Sequence, residues 1–324
     1  MAHTLLEAAL IGQSKRNAVI CNDLSKISGL LSTGIASPAS NGVQDVDLKN
    51  LALGVGAFRI PNAGVTPTAP TYGSVVTDLF PYSYEDKIDR FLLRKANKSI
   101  KEWLNHISPS IREGTAQAIA SQLYYGTAIS ANGFKGLRQI ALEYGNNFDA
   151  YSSGAGSDYT SIMVVHWHTR EACILYDPDE MRGLGKDQLM KLFVKNGGAM
   201  TTLYDANGLP YTGYEYGGEI ALGLKIMSEA RVSILMGVKD ATNYTPTKDD
   251  IRLLVEAVKG SSDGSTFIYA NSTGRRLLSG LLDSANVFIQ VAAKMGNLPL
   301  MVGSFDQIPV MLEEGITSTE ARTT

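Results

Sequence analysis

Thiols are nearly absent from this chain. Its 324 residues hold two cysteines, Cys21 and Cys173, far apart and in no CxxC spacing. That excludes a disulfide framework and a thiolate metal site, and it makes a reducing setting the expectation. Histidine is scarce as well, with four residues. Neither sign of charge dominates: 29 Lys and Arg against 32 Asp and Glu leave a net charge of −3. Bulk charge therefore gives no argument for nucleic acid as the main partner. No apolar run is long enough to span a bilayer. The opening residues lack the basic, apolar and small-residue order of a signal peptide, so a soluble chain made in the cytoplasm is expected. What is abundant is a 44% hydrophobic fraction, enough for a substantial core in one large domain or two modest ones. With 32 glycines and 15 tyrosines, the chain suits a turn-rich sheet whose loops touch neighbours.

Catalytic patterns are missing too. There is no GxxxxGK[ST] loop to cradle phosphate. Gly154-Ala155-Gly156 begins like a dinucleotide loop, but Tyr159 stands where the last glycine belongs. Gly54-Val55-Gly56 fails in the same way at Arg59. Gly260-Ser261-Ser262-Asp263-Gly264 matches GxSxG, yet a helical pattern precedes it and a strand follows, the reverse of a nucleophile elbow. His166 and His168 share one face of a strand. A zinc site needs a third and usually a fourth ligand, and neither His3 nor His106 is placed to supply one, so the pair reads as ordinary strand-end histidines. Asp177-Pro178-Asp179-Glu180 lacks ordered calcium-loop spacing and reads as an acidic turn. The expectation is no catalytic residue, no cofactor-binding residue, no metal ligand and no enzyme.

The stretch Ser108–Leu137 divides what is present. Ser110-x-x-Glu113 reads as a capping box, Pro109 suits the approach to a first turn, and Gly126 is placed to stop the helix in a left-handed conformation. Tyr124 and Tyr125 read as amphipathic anchors at its end, and Gly126 and Gly136 as permissive joints. On that reading Gly136→Val disturbs assembly more than folding.

Before this stretch, residues 1–20 carry an amphipathic segment and residues 23–46 a small-residue arm. Two strands around the Pro61–Pro70 region form a long hairpin, which is marginal alone in water and so is expected to lean on another subunit. Glu85 to Leu104 shows an apolar stripe at helical spacing, with Lys87, Arg90, Arg94, Lys98 and Lys101 on the other face. That face is either solvated and paired at i,i+4 or a ridge that meets phosphate.

After it come strands at 160–167 and 172–176, an element at 189–194 open between helix and strand, a segment at 201–204 that leads into a turn, and strands at 220–226 and 231–236. Thr247-x-x-Asp250 caps a helix closed by Gly260. A strand at 267–270, a helix at 272–282 and strands near 287–292, 298–302 and 308–312 complete the mixed pattern.

Tyr125-Gly126-Thr127, followed by Phe134-Lys135-Gly136-Leu137, resembles the helix-to-domain junction of tailed-bacteriophage major capsid proteins of the podovirus-type group. Further segments are similar to that group in the same order. They include Ile60-Pro61-Asn62-Ala63-Gly64-Val65, the strand at 160–167, Tyr211-x-Gly213-Tyr214, Phe267-Ile268-Tyr269-Ala270-Asn271 and Ile308-Pro309-Val310. The chain departs from the pattern at His168, where glycine is typical, and at Leu312-Glu313, where an aspartate is expected.

The resemblance implies an α+β chain with the Hong Kong 97 capsid fold. Residues 1–45 would be an N-terminal arm and 46–84 an extended hairpin loop lying across a neighbour. Residues 85–130 would be a peripheral domain with long helices, 131–304 an axial domain and 305–324 a segment returning to the peripheral domain. It further implies hexamers and pentamers of the chain in an icosahedral head shell of the virion, made in the host bacterial cytoplasm. The implied partners are portal, scaffold and decoration proteins and packaged double-stranded DNA on the inner face, with no membrane. An encapsulin-like nanocompartment shell is the alternative, and an α/β enzyme a more distant one.

Overall fold

A computed structural model describes residues 28–65, 68–150, 158–179, 191–241, 244–258, 264–283, 291–295, 298–305 and 308–320. The first elements are α1 (Gly29–Thr33) and β1 (Ala36–Pro38), then the hairpin β2 (Gln44–Ala52) and β3 (Thr71–Asp78). β4 (Phe80–Asp89), α2 (Arg90–Lys95), α3 (Ile100–Tyr125), α4 (Leu137–Glu143) and β5 (Asn147–Asp149) follow. Next come β6 (Thr160–His168), β7 (Ala172–Tyr176), β8 (Lys191–Val194), β9 (Thr201–Tyr204), β10 (Pro210–Ile226) and β11 (Val232–Val238). The last are α5 (Lys248–Ala257), β12 (Gly264–Ala270), α6 (Ser272–Asp283), β13 (Val291–Met295), β14 (Leu298–Phe305) and β15 (Ile308–Leu312). The amphipathic segment expected at 1–20 and the GxSxG serine lie outside the described residues.

β6 shows why the sheet is buried on both faces. Its alternate residues Ile162 and Val164 pack with Leu235, Ile251, Leu254 and Leu278, against α5 and α6. The residues between them, Met163, Val165 and Trp167, pack with Leu123, Tyr124, Leu137 and Ile234, against α3 and α4. A strand covered on both sides reads as a continuous apolar run, which is how 160–167 reads. β6 and β7 meet only at His168↔Ala172, because β11 takes the edge that β7 would otherwise fill, antiparallel to β6 over Val232↔Val165 to Val238↔Thr160. β12 covers the other edge of β6. β10 is the long member of the sheet. β4 lies along one side of it, and β9, β8 and β7 cover its other side in turn.

The single helix expected over 85–104 is a strand to Asp89, then a short helix at Arg90–Lys95 and the start of α3 at Ile100. Phe80–Asp89 is a strand in ten-residue antiparallel register with β10. Tyr82, Tyr84, Asp86 and Ile88 alternate inward, and the Tyr84 and Tyr216 hydroxyls both donate to Asp86 Oδ2, at 3.3 and 2.8 Å. A full ladder on a long partner outweighs the weak helical preference of Glu85 and Lys87. Asp89 then caps α2, and Asn97, at φ 52°, breaks the chain before α3. The capping box belongs to Ser99 and Glu102, not to Ser110 and Glu113, and Pro109 lies inside α3 rather than at its start. Ser110 sits too deep in a helix that has already begun ten residues earlier. The basic residues consequently do not form one helical ridge. Lys87 is on β4, where it donates to the Tyr204 carbonyl at 2.7 Å, Arg90 and Arg94 are on α2, Lys98 is in the break and Lys101 is on α3. Phe91, which falls on the apolar stripe of the 85–104 pattern, is exposed, with Arg94 and Lys95 over its ring. The open element at 189–194 is the strand β8, and the capping box at Thr247 and Asp250 is present.

Candidate functional site

β2 and β3 form a separate two-stranded sheet, and its faces are inverted. Antiparallel register puts Val46 opposite Val76, Leu48 opposite Ser74 and Asn50 opposite Tyr72 on one face. Asp45, Asp47 and Lys49 lie on the other. In a folded monomer the apolar face belongs inside. Here the face with Asp45, Asp47 and Lys49 is the more covered one, and Leu48 on the opposite face is 73% exposed. Beyond the strands, Leu53, Val55, Phe58 and Ile60 are exposed as well. So many exposed apolar side chains on one element mark a contact site rather than a solvated loop.

Two clusters of buried charge, neither legible at the outset, pin the chain, one at the root of this hairpin and one at the C-terminal segment. At its root Lys225 of β10 points into the sheet's covered face. Its Nζ donates to Asp45 Oδ2 at 2.8 Å and also binds the Asp47 carboxylate. Asp45 Oδ1 accepts the Ser40 N–H at 3.0 Å and the Ser40 hydroxyl. Burial works to raise the Asp45 carboxyl, but the hydrogen bonds from Lys225 and Ser40 and the ammonium charge outweigh it and bring it down to about 2. The usable signal was Lys225 itself, one charge in the apolar run Ile220–Ile226, which demands a buried partner.

The second cluster fixes the returning C-terminal segment. Glu320 Oε1 accepts the Tyr125 hydroxyl at 2.7 Å and the Ser161 hydroxyl at 2.8 Å, and Arg138 lies 3.9 Å from its other oxygen. Tyr125 in turn accepts the Thr317 N–H at 2.8 Å, and the Tyr124 hydroxyl contacts Ser161. Seven residues earlier Glu313 Oε2 accepts the Ser28 hydroxyl at 2.8 Å and the Leu30 N–H at 2.9 Å, so it serves the open end of α1. Its Oε1 accepts the Gly315 N–H at 3.0 Å.

Burial raises both carboxyls. Hydrogen bonds, and for Glu320 also the charge of Arg138, offset that only in part. A carboxyl raised in the folded state adds most stability below the ordinary glutamate value. It loses that contribution as pH climbs through the raised value. Wild type is therefore expected to lose stability relative to Glu320→Gln as pH rises from about 4.5, the ordinary value, towards neutral. Urea unfolding across that range measures the difference, and a pH-independent difference would contradict it.

The histidine pair is built into the sheet. His166 Nδ1 is 2.8 Å from Thr266 Oγ1, and His168 Nδ1 accepts the Arg170 N–H at 3.2 Å. Asp177 Oδ1 accepts the Asp179 N–H at 2.9 Å, which makes the acidic segment a turn. Among the described residues no three of His, Cys, Asp and Glu gather where a metal could bind. A cleft of about 340 Å³ beside α3 is lined by Gly114, Ala118, Ser121, Ile129 and Glu313, whose carboxylate is already engaged. It offers no acid–base pair.

A buried mixed sheet with a long helix across one face and an apolar hairpin projecting from it defines the Hong Kong 97 class of capsid fold. The solved capsid of bacteriophage Epsilon15 shares this fold, with a TM-score of 0.66, 19% identity, and 99% of this chain and 97% of that chain covered. The capsid of bacteriophage JBD30 is similar over 95% of this chain and 98% of that one, at TM-score 0.50 and 9% identity. The SrpI encapsulin of Synechococcus elongatus reaches TM-score 0.40 at 10% identity over 64% of this chain and 85% of that one. No curated protein matches. The family model for major capsid protein GP7 matches residues 12–324. The chain belongs to that family and is a shell-forming major capsid protein of the tailed-phage type.

Proposed function

We propose that copies of this chain assemble as hexamers and pentamers into an icosahedral head shell, each hairpin lying across the neighbouring copy, around a double-stranded DNA genome. The observation that carries this reading is the inverted hairpin, with Asp45 and Asp47 held by its own chain and Val46, Leu48, Tyr72 and Val76 facing away. One such contact is weak, but each subunit gives one and receives one, so the shell multiplies it. In this assignment 1–45 is the arm, 46–84 the extended loop, 85–130 and 305–324 the peripheral part and 131–304 the axial part. The protein acts as structural material rather than as an enzyme, and portal, scaffold and decoration proteins are its further partners. Enclosure of DNA is inferred from the family and not from the dispersed basic residues.

Negative-stain microscopy of the expressed protein tests the reading. Uniform closed shells are expected, and a stable monomer under all conditions would overturn it. A cargo enzyme encoded beside the gene, in place of a terminase and portal, would turn the reading to a nanocompartment.

A further inference from the structure

We propose that Lys225, clasped by Asp45 and Asp47, sets the angle at which the hairpin leaves the subunit, and that this angle selects the size of the shell. The inference rests on the reading that the hairpin lies across a neighbouring copy.

Three contacts fix the root. The Leu79 N–H donates to the Val43 carbonyl at 2.8 Å and closes the base of the hairpin. Gly223 lets the end of β3 come close to β10, because a Cβ there would stand 2.8 Å from the Asp78 carbonyl oxygen. Lys225, two residues further along β10 and in register with Cys173, then grips β2 through Asp45 and Asp47. A grip at one residue would leave a swivel. A grip at two residues on the same face defines a line. Past Lys49 the residues of β2 are exposed, so among the described residues no packing on this strand corrects an error made at the root.

The lever is long. The five steps from Asp47 to Ala52 alone span about 17 Å, so a tilt of about 10° moves Ala52 by about 3 Å. Phe58 and Ile60 lie beyond it and move further. Close-packed contacts do not absorb such a shift. The angle therefore decides which orientation of neighbour the apolar face can meet, and hence the curvature of the shell.

The chemistry of the clasp fits positioning better than stability. A buried ion pair is often no more stabilising than apolar residues of the same volume, but it holds its members in a defined geometry. An apolar peg in place of Lys225 would let β2 slide.

The test uses the triple variant Lys225→Met, Asp45→Asn, Asp47→Asn, which removes all three charges and leaves no buried ion alone. The unassembled subunit is expected to melt at or above the wild-type temperature, while its particles lose their single diameter in electron micrographs. Lys49→Met, on the same face but outside the clasp, is the control and should keep wild-type particles. A triple variant that builds uniform shells of wild-type diameter would overturn the proposal. Should the triple variant not fold, Lys225→Arg is read in its place, since its planar head group must spread the two aspartates. A changed or broadened diameter then supports the clasp and an unchanged one refutes it. If wild type itself forms no shells, or forms them with the hairpin tip removed, it is the hairpin reading that fails.

Discussion

Alanine at Gly126 or Gly136 is expected to destabilise the folded subunit severely, not merely to slow its assembly. Gly126 closes α3 at φ 63° and ψ −133°, a conformation essentially confined to glycine. A Cβ there would lie 1.9 Å from the Gly136 nitrogen and 2.3 Å from Gln139 Oε1. A Cβ on Gly136 would lie 2.4 Å from the Gly126 nitrogen and 2.6 Å from the Tyr124 carbonyl oxygen. The obstacles at both positions include backbone, which cannot swing aside. The crossing is also stitched: Gln139 Oε1 accepts the Thr127 N–H at 3.0 Å and the Gly136 N–H at 3.2 Å, and Gln122 Nε2 donates to the Phe134 carbonyl at 2.8 Å. Forcing it open combines overpacking of about 1–3 kcal/mol with the loss of buried hydrogen bonds at both positions, and at Gly126 adds backbone strain of about 1–3 kcal/mol. The total, about 4 kcal/mol or more, consumes much of a typical domain's stability of about 5–15 kcal/mol. Gly114→Ala is the control. Nothing lies within 4 Å of a Cβ there, so it should gain about 0.5–1 kcal/mol of helix stability. Denaturant unfolding and soluble yield measure all three, and wild-type stability for Gly126→Ala would refute the close crossing.

This reverses the expectation that the two glycines are loose joints. The sequence shows glycine where freedom is needed, but freedom and close approach leave the same letter, and only the 1.9 Å gap separates them. The same limit explains the other outcomes. β6 was legible because burial on both faces writes an uninterrupted apolar run, and α5 because Thr247 and Asp250 cap it locally. The helix expected at 85–104 failed because Ile88 satisfies a two-residue and a helical period alike, and the deciding partner, β10, lies more than a hundred residues away. The hairpin could be placed from its turn, but the inversion of its faces could not, since Asp45 and Asp47 need Lys225 to turn inward. Glu313 and Glu320 were equally hidden. In a polar-looking tail nothing local says that both carboxylates are buried.

Serine at Leu48, Phe58 and Ile60 together is expected to abolish shells and leave a folded subunit. All three are exposed in the isolated chain, so removing them takes nothing from its core. Surface substitutions of this kind usually change stability by about 0.5 kcal/mol or less. Buried against a neighbour, each such side chain contributes about 1.5–3 kcal/mol, and the loss recurs at every hairpin in the shell. Circular dichroism and thermal melting should match wild type, while sedimentation shows small species only. Closed shells of normal yield would show that the apolar face of the hairpin does not hold neighbours together. The result also separates two kinds of defect at one element. Without the apolar face, subunits have nothing to grip with and stay apart. With the face intact but the Lys225 clasp neutralised, they still grip, at an angle no longer fixed, and close into shells of mixed size.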